Sequence, residues 1–261
     1  MNLLTILSIN LAVLFATTLT LWLLSLALRD VSIIDIFWGL GFVVVAWLSA
    51  ALAGWPSNRC LLLVAITTIW GVRLSGYLAW RNIGEKEDRR YREMRSHWGD
   101  RFPLVSLFTV FWLQAAILWV VALPLQLGVR STESLGWLDA LGLAVWSVGL
   151  FFEAVGDVQL ARFKADPENE GKVFDKGLWR YTRHPNYFGD FLIWWGFYLV
   201  AAAGGYWWTI FSPVLMGVLL MKVSGVVLLE KSISDRKPQY QSYVCRTNAF
   251  FPWFPKPQNQ D

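Results

Sequence analysis

Seven times along this chain an apolar stretch runs long enough to cross a lipid bilayer, a pattern that few soluble cores could use. Spanning about 30 Å of hydrocarbon takes roughly 20 mostly apolar residues in a helix. Stretches at about residues 3–28, 31–53, 60–80, 104–127, 137–156, 187–203 and 206–230 meet or approach that length. In hydrocarbon each backbone N–H and C=O must be satisfied inside the protein, which selects helices for isolated spans. The expectation is an all-α integral membrane protein, one membrane domain of seven transmembrane helices over residues 1–261. Charged residues make up only 16% of the chain, against about 25% in soluble domains. Residues 3–28 are too long for a signal-peptide core and have no basic residue before them, the first charge being Arg29, so they read as a span. Gly204-Gly205 leaves little room between the last two stretches, which predicts a tight antiparallel hairpin.

Lysine and arginine placement sets the expected orientation. One set of connections holds Arg29, seven basic residues from Arg81 to Arg101, six from Arg162 to Arg183 and five from Lys231 onward; the other holds only Arg59 and Arg130. Nineteen against two places the N-terminus outside, with loops 81–103 and 157–186 and the tail 231–261 in the cytoplasm. The location expected is a plasma or inner membrane, with the working face toward the cytoplasm. The segment from Gly84 to Arg95 reads as a helix along the membrane surface, with Glu85/Arg89 and Asp88/Arg92 as i,i+4 pairs. The tail carries Tyr240, Tyr243, Arg246 and the run Phe250-Phe-Pro-Trp-Phe-Pro255, suited to the headgroup region or to covering a cytoplasmic pocket.

Cys60 and Cys245 are far apart, and His97 and His184 form no metal-binding pair, so neither a disulfide nor a metal site is expected. No nucleic-acid or obligate protein partner is expected either; membrane lipids are. Ionisable groups inside spans are costly and mark function by default. Asp35 lies about 6 Å into the second span, and Arg73 and Lys222 about 12 Å into theirs, at 1.5 Å per residue. With Gln114, Glu153 and Asp190 they all fall in the cytoplasmic half, predicting a polar pocket open to that side. Each has a plainer alternative: Arg73 and Lys222 can snorkel, and Glu153 and Asp157 can pair with nearby arginines. Asp35 stands out because Ser32-Ile-Ile-Asp-Ile-Phe-Trp38 offers it no local cation. One-sided polar groups, an odd span count and no internal repeat argue against a transporter.

The densest polar motif is Gly177-Leu-Trp-Arg-Tyr-Thr-Arg-His-Pro-Asn-Tyr-Phe-Gly-Asp190. Pro185 sets the start of a helix, Asn186 and Asp190 share one face of it, and Arg183 and His184 precede it. Free N–H groups at such a start favour anionic or polar ligand groups. The alternative is capping, with the arginines on lipid headgroups.

These residues resemble the steroid 5-alpha-reductase family, in its DUF1295 branch: Glu153/Asp157, Gly177 to Tyr181, Asn186 to Asp190, and Tyr240-x-x-Tyr243-x-x-Arg246 followed by Pro252. Ser32 to Gly39, Trp70-Gly-Val-Arg-Leu74 and Glu87-Asp-Arg-Arg-Tyr91 resemble signatures of that branch. The resemblance implies a seven-helix membrane reductase whose cytoplasmic loops wrap NADPH. Carried over by position, Asn186 and Asp190 would lie near the cofactor's reactive end, and Asp157, Lys164, Arg180 and Arg246 would contact ribose and phosphates. Arg81, Asn82, Arg90, Tyr91 and Arg95 would add contacts from the first large loop, and Arg183, His184, Tyr187, Tyr240 and Tyr243 belong to the same cofactor set. Gly39-Leu-Gly41 is no dinucleotide fingerprint but a packing feature within a span.

The implied reaction reduces the C=C bond of an enone lipid, most directly a 3-oxo-Δ4-steroid, with Trp38 and Trp194 lining the substrate. Asp35, kept neutral by burial, would donate a hydrogen bond to the carbonyl oxygen. Those reductases pair a glutamate with a tyrosine; here Asp35 is the acidic counterpart and Trp70 stands where the tyrosine would fall, leaving the proton source unidentified. Arg183-His-Pro-x-Tyr187-x-Gly189 is also similar to the motif of isoprenylcysteine and phospholipid methyltransferases, which use S-adenosylmethionine, with Glu230-Lys231 where they carry Glu-Glu. A methyltransferase is therefore the alternative, and a non-catalytic lipid-binding protein the second.

Overall fold

The computed structural model describes residues 1–223 and 240–256. These are helical throughout, with no strand among the described residues. Five helices are long and apolar enough to cross a membrane: Leu3–Leu28, Ile33–Ala53, Asn58–Asn82, Arg89–Val121 and Trp137–Ala165. We number the α-helices α1 (Leu3–Leu28), α2 (Ile33–Ala53), α3 (Asn58–Asn82), α4 (Arg89–Trp98), α5 (Phe102–Ser106), α6 (Leu113–Val121), α7 (Leu123–Gly128), α8 (Trp137–Ala165), α9 (Pro185–Ala203), α10 (Phe211–Val218) and α11 (Tyr240–Arg246). The apolar stretch Trp207–Lys222 is a shorter helix. The end of the seventh expected span, together with Glu230, Lys231 and residues 231–239, lies outside the described residues.

The chain forms two compact units, residues 1–136 with 200–209, and residues 137–199 with 210–261. In the first, α2 and α3 approach until backbone meets backbone. A Cβ on Gly39 would lie 2.5 Å from the Gly71 carbonyl oxygen, and one on Gly71 would lie 2.5 Å from that of Gly39. Gly39-Leu-Gly41 thus serves packing, as expected. Trp70, the residue before Gly71, is fully buried, its ring 5.6 Å from that of Phe42. Buried Asn10 on α1 donates to Ser49 Oγ on α2 (2.7 Å) and to Gln126 Oε1 on α7 (3.0 Å). Arg59, fully buried, donates to Ser131 Oγ (2.7 Å) and the Ser134 carbonyl (2.8 Å), fixing the segment after α7.

The first large loop departs from expectation. Its helix begins at Arg89 rather than Gly84, because Gly84 takes a positive φ of 88° and the Asp88 side chain caps the helix by accepting from Arg90 N at 2.9 Å. Glu85 therefore precedes the helix and has no i+4 partner on it. The pairs that form are Arg89–Glu93 at 2.6 Å and Arg90–Asp88 at 2.9 Å. α4 then continues through a 3₁₀ turn, α5 and a π-helical stretch, Leu107–Trp112, into α6, so the loop helix and the fourth span form one helical stretch.

In the second unit α8 and α9 cross on glycines. A Cβ on Gly149 would lie 2.6 Å from the Gly189 carbonyl oxygen, and one on Gly196 would lie 2.6 Å from Trp146 Cβ. Such close approach is what small residues permit between apolar helices. α10 returns along α9, with Gly217 against Phe191, residues equidistant in sequence from Gly204. Gly205, at φ 90°, makes the turn that the double glycine predicts.

Gly189→Val is expected to disrupt this unit, since the added carbons would overlap the Gly149 carbonyl and the Glu153 backbone. Overpacking of this kind costs about 1–3 kcal/mol or more. Thermal unfolding of the detergent-solubilised protein should show a markedly lower midpoint than that of Gly76→Val, where a Cβ meets nothing within 4 Å.

Candidate functional site

Each unit assembles its own polar cluster. In the first, the corner between α1 and α2 captures the Glu87-Asp-Arg-Arg-Tyr91 signature. Val31 N donates to Glu87 Oε1 (2.9 Å), and Asp88 N donates to Ser32 Oγ (2.8 Å). This docking delivers Arg90 and Tyr91 to Asp35. Arg90 donates to Asp35 Oδ2 at 2.9 Å, and Tyr91 Oη donates to Asp35 Oδ1 at 2.8 Å. Gln114 Nε2 completes the chain by donating to Tyr91 Oη at 3.3 Å. The π-helical stretch ends immediately before Leu113-Gln114; a π turn shifts the register of the helix beyond it and is frequent at functional sites.

This corrects the reading of Asp35 as an acid without a cation. Its own neighbours offer none, but the fold brings one from 55 residues away. Asp35 thus accepts from a guanidinium on one oxygen and from a phenol on the other. Tyr91 is buried, with the Arg90 guanidinium 5.3 Å from its ring centre. Asp88 is held below the usual carboxylate range: burial raises it, but the hydrogen bonds from the Arg90 side chain and backbone outweigh that.

The other expected residues of this loop also have partners in the first unit. Arg95 is bidentate to Glu87 (2.7 and 3.1 Å) and lies 4.5 Å from the Phe102 ring centre. Exposed Arg81 donates through Nε to Asn82 Oδ1 at 3.0 Å. Arg73 sits over the Tyr77 ring. Trp38 is half-buried, edge-on to Phe42.

In the second unit the glycine crossing brings α8 carboxylates beside the start of α9. Gly156 abuts Pro185, and Asn186 Nδ2 donates to Asp157 Oδ1 at 3.2 Å. Glu153, Asp157 and Asp190 are all buried. His184 stacks on Tyr187, ring centres 5.6 Å apart and 6° from parallel. Trp194 is fully buried on α9, within the core of the unit.

The tail closes over the opening motif from the other side. Tyr240 and Tyr243 are buried, and the Tyr243 hydroxyl donates to the Trp179 carbonyl. Arg183, also buried, donates to the carbonyls of Val244 (3.1 Å) and Thr247. Arg183 and Tyr243, both expected on a cofactor, bond the motif to the tail. An open cleft of about 580 Å³ remains between motif and tail, lined by Asp175, Lys176, Gly177, Arg180, Arg246, Thr247, Pro255 and Lys256. Arg246 reaches Asp175 at 3.3 Å. Arg180 and Arg246 were expected contacts; Lys176 and Lys256 were missed, though both are basic residues flanking motifs already singled out. Lys164 is exposed at the end of α8.

The sequence matches the profile of the family described as "Protein of unknown function (DUF1295)" over residues 21–247. It is similar to "Uncharacterized protein C594.04c" of Schizosaccharomyces pombe, 26% identical over 246 residues, covering 83% of this chain and 67% of that one. A shorter match, 42% identical over 55 residues, is to the "Probable O-methyltransferase ustE" of Ustilaginoidea virens and covers 21% of this chain and 19% of that protein. No solved structure matches.

Two outcomes test the Asp35 cluster independently of any reaction. A double-mutant cycle with Asp35→Asn and Arg90→Gln should give a coupling of about 1 kcal/mol in unfolding, modest because the Arg90 side chain is 48% exposed. Asp88, its folded-state value depressed, adds stability above the ordinary carboxylate range that is lost as pH falls through that folded value. Asp88→Asn should therefore flatten the acid limb of stability below about pH 4, read from midpoints across a pH series.

Proposed function

The chain belongs to the DUF1295 family, the steroid 5-alpha-reductase-like branch, and we propose that it is an NADPH-dependent membrane reductase of an enone lipid, with a 3-oxo-Δ4-steroid as the nearest substrate class. The observation that carries this reading is the charge of the cleft in the second unit. Lys176, Arg180, Arg246 and Lys256 face a single carboxylate, Asp175. Such a lining fits the pyrophosphate and 2′-phosphate of NADPH; S-adenosylmethionine has no phosphate to offer it. In this reading Arg180, Arg246, Lys176 and Lys256 hold the phosphates, and Asn186, Asp157 and Asp190 hold uncharged polar groups of the same cofactor. When bound, NADPH supplies a hydride.

The first unit's cluster holds a candidate proton donor of its own. Trp70 cannot serve, since an indole N–H does not give up its proton at physiological pH, and it is buried in the core. Tyr91 supplies a phenol where Trp70 offers none. Its proton sits on Oη, directed at Asp35, and rotation of the hydroxyl about its C–O bond re-aims it while Arg90 continues to balance the Asp35 carboxylate. Asp35 is then the partner that orients Tyr91, rather than the donor to the carbonyl.

For topology we propose seven crossings with the N-terminus outside. Five long apolar helices, α9 and the Trp207–Lys222 stretch make up the number, and the nineteen-to-two distribution of basic residues supports the orientation.

A second reading has its own support. Three buried carboxylates, Glu153, Asp157 and Asp190, suit a cationic group, and S-adenosylmethionine carries a sulfonium and an ammonium; the short match to a probable O-methyltransferase points the same way. Calorimetry of the purified protein separates the two. NADPH is expected to bind, and S-adenosylmethionine to bind far more weakly or not at all; the reverse order selects the methyltransferase. With progesterone or testosterone, NADPH oxidation should yield reduced steroid. Tyr91→Phe should lower turnover by about 10²-fold or more with NADPH affinity unchanged. A full rate for that variant removes Tyr91 from the chemistry.

A further inference from the structure

The Arg-His-Pro motif would ordinarily be taken for a cofactor contact, and its arginine is placed otherwise. Arg183 is 8% exposed. Its guanidinium points at the carbonyls of Val244 and Thr247, at the end of α11, where a cation also meets the negative end of the helix. Its backbone N–H donates to the Asn248 carbonyl at 2.9 Å. Thr182 Oγ1 donates to the carbonyls of Phe250 (2.8 Å) and Ala249 (3.3 Å), and Trp253 N donates to the Tyr181 carbonyl at 2.9 Å. Residues 181–183 and 247–253 are therefore laced together, although no strand forms. Beyond the lacing, Lys256 N donates to the Arg246 carbonyl at 2.9 Å, closing the strap back on the helix it left.

The consequence lies in the cleft. Two of its four cations, Lys176 just before the motif and Arg180 within it, come from one side; the other two, Arg246 and Lys256, stand at either end of the strap. Neither half alone gathers four positive charges. We infer that Arg183 is a positioning residue: it seats the strap formed by residues 247–256 and thereby assembles the cleft that takes the dinucleotide's phosphate groups, without touching them. This rests on the reductase reading for the identity of the ligand, but not for the seating of the strap.

Hydrogen exchange at the Trp253 and Lys256 amides reports the strap, and calorimetry with NADPH and with inorganic pyrophosphate reports the cleft. In Arg183→Ala the two amides should exchange at least about tenfold faster and NADPH affinity should fall about tenfold, the loss of two charge-assisted hydrogen bonds. Thr182→Val, which keeps every charge, should shift both readouts the same way by less, and it decides the matter if Arg183→Ala does not fold. Lys256→Ala should weaken both ligands and leave exchange at Trp253 unchanged, and in the unaltered protein NADPH should slow exchange of the strap. Loss of affinity with a strap as protected as before would make Arg183 a direct ligand contact and overturn the inference. A loosened strap with unchanged affinity for both ligands would overturn it equally. Pyrophosphate binding without NADPH binding would retain the cleft and Arg183's role while removing the dinucleotide and the reductase reading.

Discussion

The polar chemistry of the second unit depends on how closely α8 can approach α9. At Gly149 and Gly189 the backbones lie so near that a methyl group on either would overlap the other helix. Only at that separation does Asn186, one residue into α9, meet Asp157 on α8 across a hydrogen bond. An apolar side chain at the crossing would push the two apart and strand buried carboxylates without their partner, at a cost well above that of the lost packing. The glycines are therefore part of the site in the same sense as the residues that line it. The Gly39–Gly71 contact plays the corresponding role in the first unit, bringing α2 onto α3.

Some of this is legible in the sequence, and the division has a physical basis. Apolar length and helix punctuation are local properties, so the long helices, the turn at Gly204-Gly205 and the packing role of Gly39-Leu-Gly41 can be read from the chain alone. Asp35 is the counter-case. Its immediate neighbours carry no cation, yet Arg90 and Tyr91 arrive through the docking of Glu87 and Asp88 on Val31 and Ser32. Nothing in spacing reveals a contact made across 55 residues, although both signatures could be recognised separately. The same holds for the bonds from Arg183 to the Val244 and Thr247 carbonyls; a carbonyl has no sequence identity to search for. The i,i+4 pairs expected in the first loop failed for a different reason. A capping aspartate and a positive-φ glycine set the helix start at Arg89 rather than at Gly84, where charge periodicity suggests it.

Electrostatics within the second unit run in two directions. The cleft between motif and tail is basic and open, while the α8–α9 crossing carries buried carboxylates. A ligand of one charge throughout would suit only one of them. A dinucleotide combines phosphates at one part with uncharged amide and hydroxyl groups at another, and hydroxyl and amide donors are what buried carboxylates accept best. S-adenosylmethionine would leave the basic cleft unmatched, and its carboxylate alone would not neutralise four cations. In the proposed reading the charge pattern favours the dinucleotide, a choice the Arg-His-Pro motif does not make.

That indifference has a structural origin if the arginine serves the strap. A residue bonded to the carbonyls of Val244 and Thr247 reads backbone, and backbone is common to every sequence that folds this way. A clasp of that kind is compatible with more than one ligand, so the arginine by itself does not decide the cofactor. Specificity then has to come from residues the clasp presents, not from the clasp. In this chain those are Arg246 and Lys256, whose positive charge meets that of Lys176 and Arg180 across the cleft. Four like charges lining one cleft repel one another unless something anionic lies among them. Asp175 offsets part of that repulsion by reaching Arg246; in the proposed reading the cofactor's phosphates offset the rest.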